Sequence, residues 1–176
     1  MSEDLARKNE TVSFKYNGLQ DLVNAFSDLQ TVEQAKKYET LLSNFTTKFA
    51  GYDGDGSLIF TDKGLMGIFV KFDIETSNKN KYIDAYFEIK GLLTKKYGDA
   101  TMVYEHLEYP YEDDYPRGDH AGTALSIGKG SYLSAFQCKD DEKKYIQLYL
   151  YGDNYELSFA LSYFDKNYDK SKEEKL

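Results

Sequence analysis

Residues Tyr145–Phe164 read YIQLYLYGDNYELSFALSYF. Two runs in which apolar residues alternate with other types flank a Gly-Asp-Asn turn, and period-two alternation around turn formers marks a β-hairpin with one buried face. Closing the hairpin over Asp153 and Asn154 sets Leu150 opposite Leu157, Leu148 opposite Phe159 and Ile146 opposite Leu161. The other face then carries Tyr151, Tyr149 and Tyr145 opposite Glu156, Ser158 and Ser162. The leucine face needs a covering layer. The tyrosine row beside small residues reads either as a shallow aromatic binding face or as the seat of a second layer.

The layer that covers the leucines is legible upstream. Over residues 78–97, Tyr82, Ile83, Tyr86, Phe87, Ile89, Leu92 and Leu93 recur at helical spacing. Lys95 and Lys96 then fall in the last turn, where cations suit the helix dipole, and Gly98 stands where a left-handed residue closes a helix. The spacing predicts a long helix packed on the sheet. Before it, Met66, Ile68, Val70, Phe72 and Ile74 alternate with other residues, so that strand buries its even-numbered face. Further strands are expected near 101–108, 123–128 and 131–138.

Near the N-terminus, GLQDLVNAFSDL (Gly18–Leu29) has helical periodicity, and Thr31 with Gln34 opens a second helix that carries Val32, Ala35, Tyr38, Leu42 and Phe45 on one side. Strands at 46–52 and 57–61 then flank YDGDGS. With Gly56 at the glycine position of an EF-hand loop, the first ligand would be Gly51, and strand-like runs lie where helices are required. The stretch therefore reads as an Asp-Gly hairpin turn without a cation. The fold class is α+β: a mainly antiparallel sheet with N-terminal helices and the helix over 78–97 packed on it. One domain spans 1–176, with 1–11 and 166–176 as frayed termini.

At 176 residues with 41% hydrophobic content, the chain can bury a proper core. A net charge of -8 argues against phosphate-based nucleic-acid binding and leaves room for a basic protein partner or a cation. Seventeen tyrosines and no tryptophan are the compositional signature. No stretch is long and apolar enough to span a membrane, and MSEDLARKNE carries no signal region, although a chain from which a signal peptide had been removed would read the same way.

EHLEYPYEDDYPRGDH (Glu105–His120) holds both histidines, both prolines and three tyrosines. A loop of that length without secondary structure of its own suggests recognition. Its Tyr109, Tyr111, Glu112, Asp113, Asp114 and Tyr115, with Tyr145, Tyr149 and Tyr151 of the hairpin, are the candidate partner-binding residues. His106 and His120 with the nearby carboxylates match no metal spacing. Cys138 lies in a strand pattern, YLSAFQC, and SIGKGS lacks the spacing of a phosphate loop. No catalytic constellation, metal or cofactor is expected.

GLMGIFVKF (Gly64–Phe72), LLTKKYGDA (Leu92–Ala100), ALSIGKGSYLSAF (Ala124–Phe136) and the closing hairpin together resemble a family of uncharacterised bacterial proteins, many of them secreted proteins or lipoproteins; Phe136 stands where that pattern often has tryptophan. The resemblance implies an α+β domain in the cell envelope or outside the cell, lipid-anchored if a signal peptide was removed, and no activity. The function expected is a non-enzymatic binding domain for a protein, peptide or glycan. The alternative is a cytoplasmic acidic inhibitor or immunity-type protein that neutralises a basic protein.

Overall fold

A computed structural model describes residues 12–13, 44–61, 64–139 and 143–165. The two runs of the hairpin form antiparallel ten-residue strands, Lys144–Asp153 and Glu156–Asp165. In chain order the strands are β1 (Val12–Ser13), β2 (Asn44–Phe49), β3 (Tyr52–Thr61), β4 (Gly64–Asp73), β5 (Met102–Leu107), β6 (Gly130–Gln137), β7 (Lys144–Asp153) and β8 (Glu156–Asp165). They form a single sheet in the order β1-β2-β3-β4-β8-β7-β6-β5, in which β1 pairs parallel with β2 and every other pairing is antiparallel. Helix α1 (Asn80–Tyr97) lies across β6, β7 and β8, and a short helix α2 (Ala121–Ser126) packs beside it. This is the α+β arrangement expected from the sequence. The N-terminal helices over 18–45 and the termini at 1–11 and 166–176 lie outside the described residues, except that Phe45 belongs to β2 rather than to a helix.

The core lies between α1 and one face of the sheet. Ile68, Val70 and Phe72 of β4, Tyr132 and Phe136 of β6, Ile146, Leu148 and Leu150 of β7, and Phe159 and Leu161 of β8 are all buried there. The helix contributes Ile83, Tyr86, Ile89 and Leu93 of the stripe that its spacing predicts, together with Ala85, whereas Leu92 of that stripe is exposed. Phe159 joins the two layers, with ring centroids 4.9 Å from Phe72 and 6.3 Å from Tyr86.

Three local expectations are corrected. The hairpin closes on Asn154–Tyr155, so Leu150 faces Phe159, Leu148 faces Leu161 and Ile146 faces Tyr163. Both turn residues have positive φ, 49° and 68°. Tyrosine is poorly suited to that conformation, but the Tyr155 N–H donates to the Ser126 carbonyl at 2.9 Å and the Lys79 ammonium donates to the Tyr155 carbonyl, so tertiary anchors set the turn. Because the pairing moves by an even number of residues, the buried face is unchanged.

YDGDGS is not a turn but the start of β3; the bend lies at Ala50–Gly51, with φ of 54° and 88°. Gly54 is there for space, since a Cβ would meet Val70 Cγ1 at 2.9 Å and the Lys71 carbonyl at 3.0 Å. Asp53 and Asp55 alternate with these glycines and are exposed on the opposite face, where Asp53 meets Lys48 at 3.2 Å. The strand expected at 123–128 is α2, whose small residues Ala121, Gly122 and Ala124 let it sit close to the start of α1.

Leu148 and Phe159 are fully enclosed. Leu148→Ala and Phe159→Ala should each lower unfolding free energy by roughly 2–5 kcal/mol in denaturant titration. A loss below about 1 kcal/mol at both would mean that the core lies on the other face.

Candidate functional site

The candidate residues lie on two sides of the sheet. The register places Tyr149 between Leu133 and Ala160, and Tyr151 between Ser131 and Ser158. That face points away from α1. Tyr104 of β5 lies opposite Leu133 and so joins the same row, a residue that the sequence did not single out. Tyr104 and Tyr151 are 56% and 48% exposed. Tyr149 stacks on Tyr151 at 5.9 Å and meets Phe69 at 6.2 Å, while Tyr145 stacks on Phe164 at 5.5 Å. Between these rings the floor is small: Ala160 and Ser162 are buried, and the Ser162 hydroxyl is without a partner among the described residues. Loss of water, then the neighbouring Tyr151, pushes the Tyr149 phenol up to about 12.

The loop belongs to the helix side. Tyr115 packs edge-on against Tyr132 at 5.9 Å and donates to Glu105 Oε2 at 3.3 Å. The Tyr132 hydroxyl donates to the Pro116 carbonyl at 2.8 Å, and the Asn80 amide donates to the carbonyls of Gly118 and Asp119 at 3.2 and 3.1 Å. Arg117 lies over the Phe87 ring at 4.5 Å. Glu112, Asp113 and Asp114 form a single 3-10 turn, where Asp114 Oδ1 accepts the His120 N–H at 3.2 Å and Glu112 and Asp113 stay exposed. Tyr111 is half-buried against the core, whereas Tyr109 is 79% exposed.

The most enclosed charge in this region belongs to a residue that no motif in the chain marks. Glu105 has a side chain only 3% exposed. Its Oε1 pairs with the Lys90 ammonium and accepts from the hydroxyls of Tyr86 at 2.8 Å and Ser134 at 3.1 Å. A buried carboxylate is tolerated when its lone pairs are filled in this way. Every contact is satisfied within the protein, so the cluster reads as an anchor that ties β5, β6, α1 and the loop together. The His106 ring lies tilted against Tyr104 at 4.6 Å, and among the described residues no three His, Cys, Asp or Glu side chains converge as a metal would require.

Hydroxyl use separates two kinds of tyrosine. Tyr52, Tyr82, Tyr86, Tyr115 and Tyr132 each donate to a protein oxygen. Among the described residues, Tyr97, Tyr104, Tyr109, Tyr111, Tyr149, Tyr151 and Tyr155 donate to none. The first group fastens the fold; of the second, Tyr104, Tyr149 and Tyr151 share the face that points away from α1.

No family model, curated protein or solved structure matches this chain. Among the described residues, no helix is long and apolar enough to cross a membrane.

Removing Glu105 as alanine should cost roughly 2–4 kcal/mol in chemical denaturation, because Lys90 and three hydroxyls lose their acceptor. Tyr109→Ser should change stability by less than about 0.5 kcal/mol.

Burial raises the phenols of Tyr86 and Tyr132, and pushes those of Tyr52 and Tyr97 as well as Tyr149 up to about 12. The folded state therefore keeps protons that the unfolded chain gives up near pH ~10, so stability is full below that value and falls as pH rises through the folded pKa values. Melting temperatures measured from about pH 9 to 11 should drop, and Tyr149→Phe should make the drop shallower.

Proposed function

We propose that this chain is a non-enzymatic binding domain that holds a protein or peptide of basic character on the tyrosine face of its sheet. The observation that carries this reading is the row of Tyr104, Tyr149 and Tyr151, which no described element covers, above a floor of Ser131, Ser158 and Ala160. Rings on a flat sheet supply large contact area with few rotors to freeze, and their unengaged hydroxyls can pair with a partner's backbone. Tyr151 also lies next to the acidic end of the molecule. The hairpin tip, with Asp153 and Glu156, is held to α2 through Tyr155, and Glu108 is held to Lys129 just beyond α2, which gathers these acids at one end together with Lys79, on the Tyr155 carbonyl, and Lys129, whose ammonium lies 3.7 Å from the Glu108 carboxylate. An envelope or extracellular location, as the resemblance implies, belongs to the same proposal.

The acidic end favours a second reading, the acidic inhibitor of a basic protein, and the two differ in physics. Contact through the rings persists in salt; contact through exposed carboxylates is screened within about 10 Å at 0.1 M salt.

Random peptides displayed on phage and selected on the immobilised chain provide the test. We expect sequences that combine aromatic or aliphatic residues with Lys or Arg, and Tyr151→Ser, at an exposed site, should weaken them by roughly tenfold or more. Peptides that bind the Tyr151→Ser chain undiminished yet dissociate in ~0.5 M salt would favour the inhibitor reading.

A further inference from the structure

β5 closes the sheet on the side away from β1, and its outer edge is unpaired among the described residues. Natural sheets blunt such an edge with lysine, proline, a bulge, an inward-pointing charge or a covering loop, because exposed main-chain groups recruit other strands. Here Glu105 is the one such device in the middle of the strand. Met102, Val103 and Tyr104 stand in succession 46%, 51% and 56% exposed, so apolar side chains project from both faces of the edge. Its only carboxylate, Glu105, turns inward to Lys90 and is used up there.

The phase of the ladder fixes which main-chain groups point outward. The Glu108 N–H donates to the Lys129 carbonyl at 3.0 Å, and hydrogen-bonded residues alternate along an antiparallel pair. Residues 104 and 106 therefore bond inward to β6, while the N–H and C=O groups of Val103 and Glu105 face outward.

We infer that this edge pairs antiparallel with β5 of a second copy of the chain, about a two-fold axis at Tyr104 that runs perpendicular to the sheet. An axis in that direction keeps each face on its own side, so paired residues must have equal parity. A centre at Glu105 would set two carboxylate-bearing residues opposite each other, and a centre at Val103 would pair only Met102, Val103 and Tyr104 within the strand, where a centre at Tyr104 pairs five residues. The centre at Tyr104 sets it opposite its own copy, Val103 opposite the second copy's Glu105, and Met102 opposite the second copy's His106. Val103 and Glu105, the residues whose main chain faces outward, then exchange about four hydrogen bonds. Tyr104 becomes a non-hydrogen-bonded pair, the closer kind, in which rings meet. Because the two strands run antiparallel, the acidic ends of the two copies lie at opposite ends of the joint. The tyrosine faces of the two copies become one continuous surface.

Sedimentation velocity of the full chain decides this. The wild type should sediment as a dimer at tens of micromolar. Val103→Pro removes an outward N–H without touching the β6 ladder, and Tyr104→Lys sets like charges across the axis; both should be monomers with the circular dichroism of the wild type. Should the proline variant fail to fold, Tyr104→Lys decides, because it changes only an exposed side chain. In a Cys138→Ser background, Tyr104→Cys should crosslink to its own copy on mild oxidation and Met102→Cys should not, since opposed residues have Cβ atoms roughly 5 Å apart and diagonal ones lie farther away. A monomeric wild type at ~100 µM, a dimer that survives both variants, or crosslinking at Met102 instead would overturn the proposal. So would a monomer that takes up extended peptides at this edge.

Discussion

The buried carboxylate of Glu105 is the constraint on which the arrangement of the other parts depends. Tyr86 and Lys90 stand one turn apart on α1 and reach the same oxygen, which fixes the roll of the helix about its own axis. Ser134 brings β6 to that oxygen, and Tyr115 brings the loop to its neighbour. An ion pair in the interior gains little net stability over a well-packed apolar pair, but it penalises every arrangement that leaves the charge alone. The cluster therefore selects one docking of helix and loop on the same side of the sheet, and by doing so it leaves the other side to the tyrosines.

Much of the fold could be read from the sequence because the relevant signals were local. The helix over 78–97 carried its own stripe, last-turn lysines and closing glycine, and appears as Asn80–Tyr97. The hairpin faces followed from alternation, which is insensitive to a shift of two. The register did not follow, because the turn is held by Ser126 and Lys79, which are remote in sequence and invisible to turn propensity. Asp-Gly was misleading in β3 for a related reason: glycine serves both to bend a chain and to make room, and only the approach of Val70 shows which role Gly54 has. In Ala121–Ser126 the residues are too small and too few for any period to show.

The candidate surface was legible in half. Alternation placed Tyr145, Tyr149 and Tyr151 together on the face away from the leucines, and the structure brings Tyr149 and Tyr151 into a stack. Tyr104 joins them from a strand distant in sequence, through pairing that no local pattern encodes. The loop was read as one unit because its tyrosines, prolines and acids are adjacent in the chain. In space it divides: Tyr115 and Tyr111 are turned to the core, and Tyr109 with Glu112 and Asp113 to water.

That division explains how a chain with seventeen tyrosines and no tryptophan can use one residue type for two purposes. A phenol buried beside a carbonyl or carboxylate places a ring in the core and a hydrogen bond at its rim, and so fastens irregular segments such as 108–120 to a regular layer. On the open face Tyr149 and Tyr151 donate to no group among the described residues, and their rings stack on each other. Burial alone does not distinguish these roles, since Tyr149 is half-buried and Tyr115 is exposed by more than a third. The partner of the hydroxyl does: Tyr115 ends on Glu105, inside the anchor, and Tyr149 ends on no protein group among the described residues. Three tyrosines with unengaged hydroxyls, Tyr104, Tyr149 and Tyr151, share the face that α1 leaves open, whereas Tyr97, Tyr109, Tyr111 and Tyr155 are scattered over the helix, the loop and the hairpin turn.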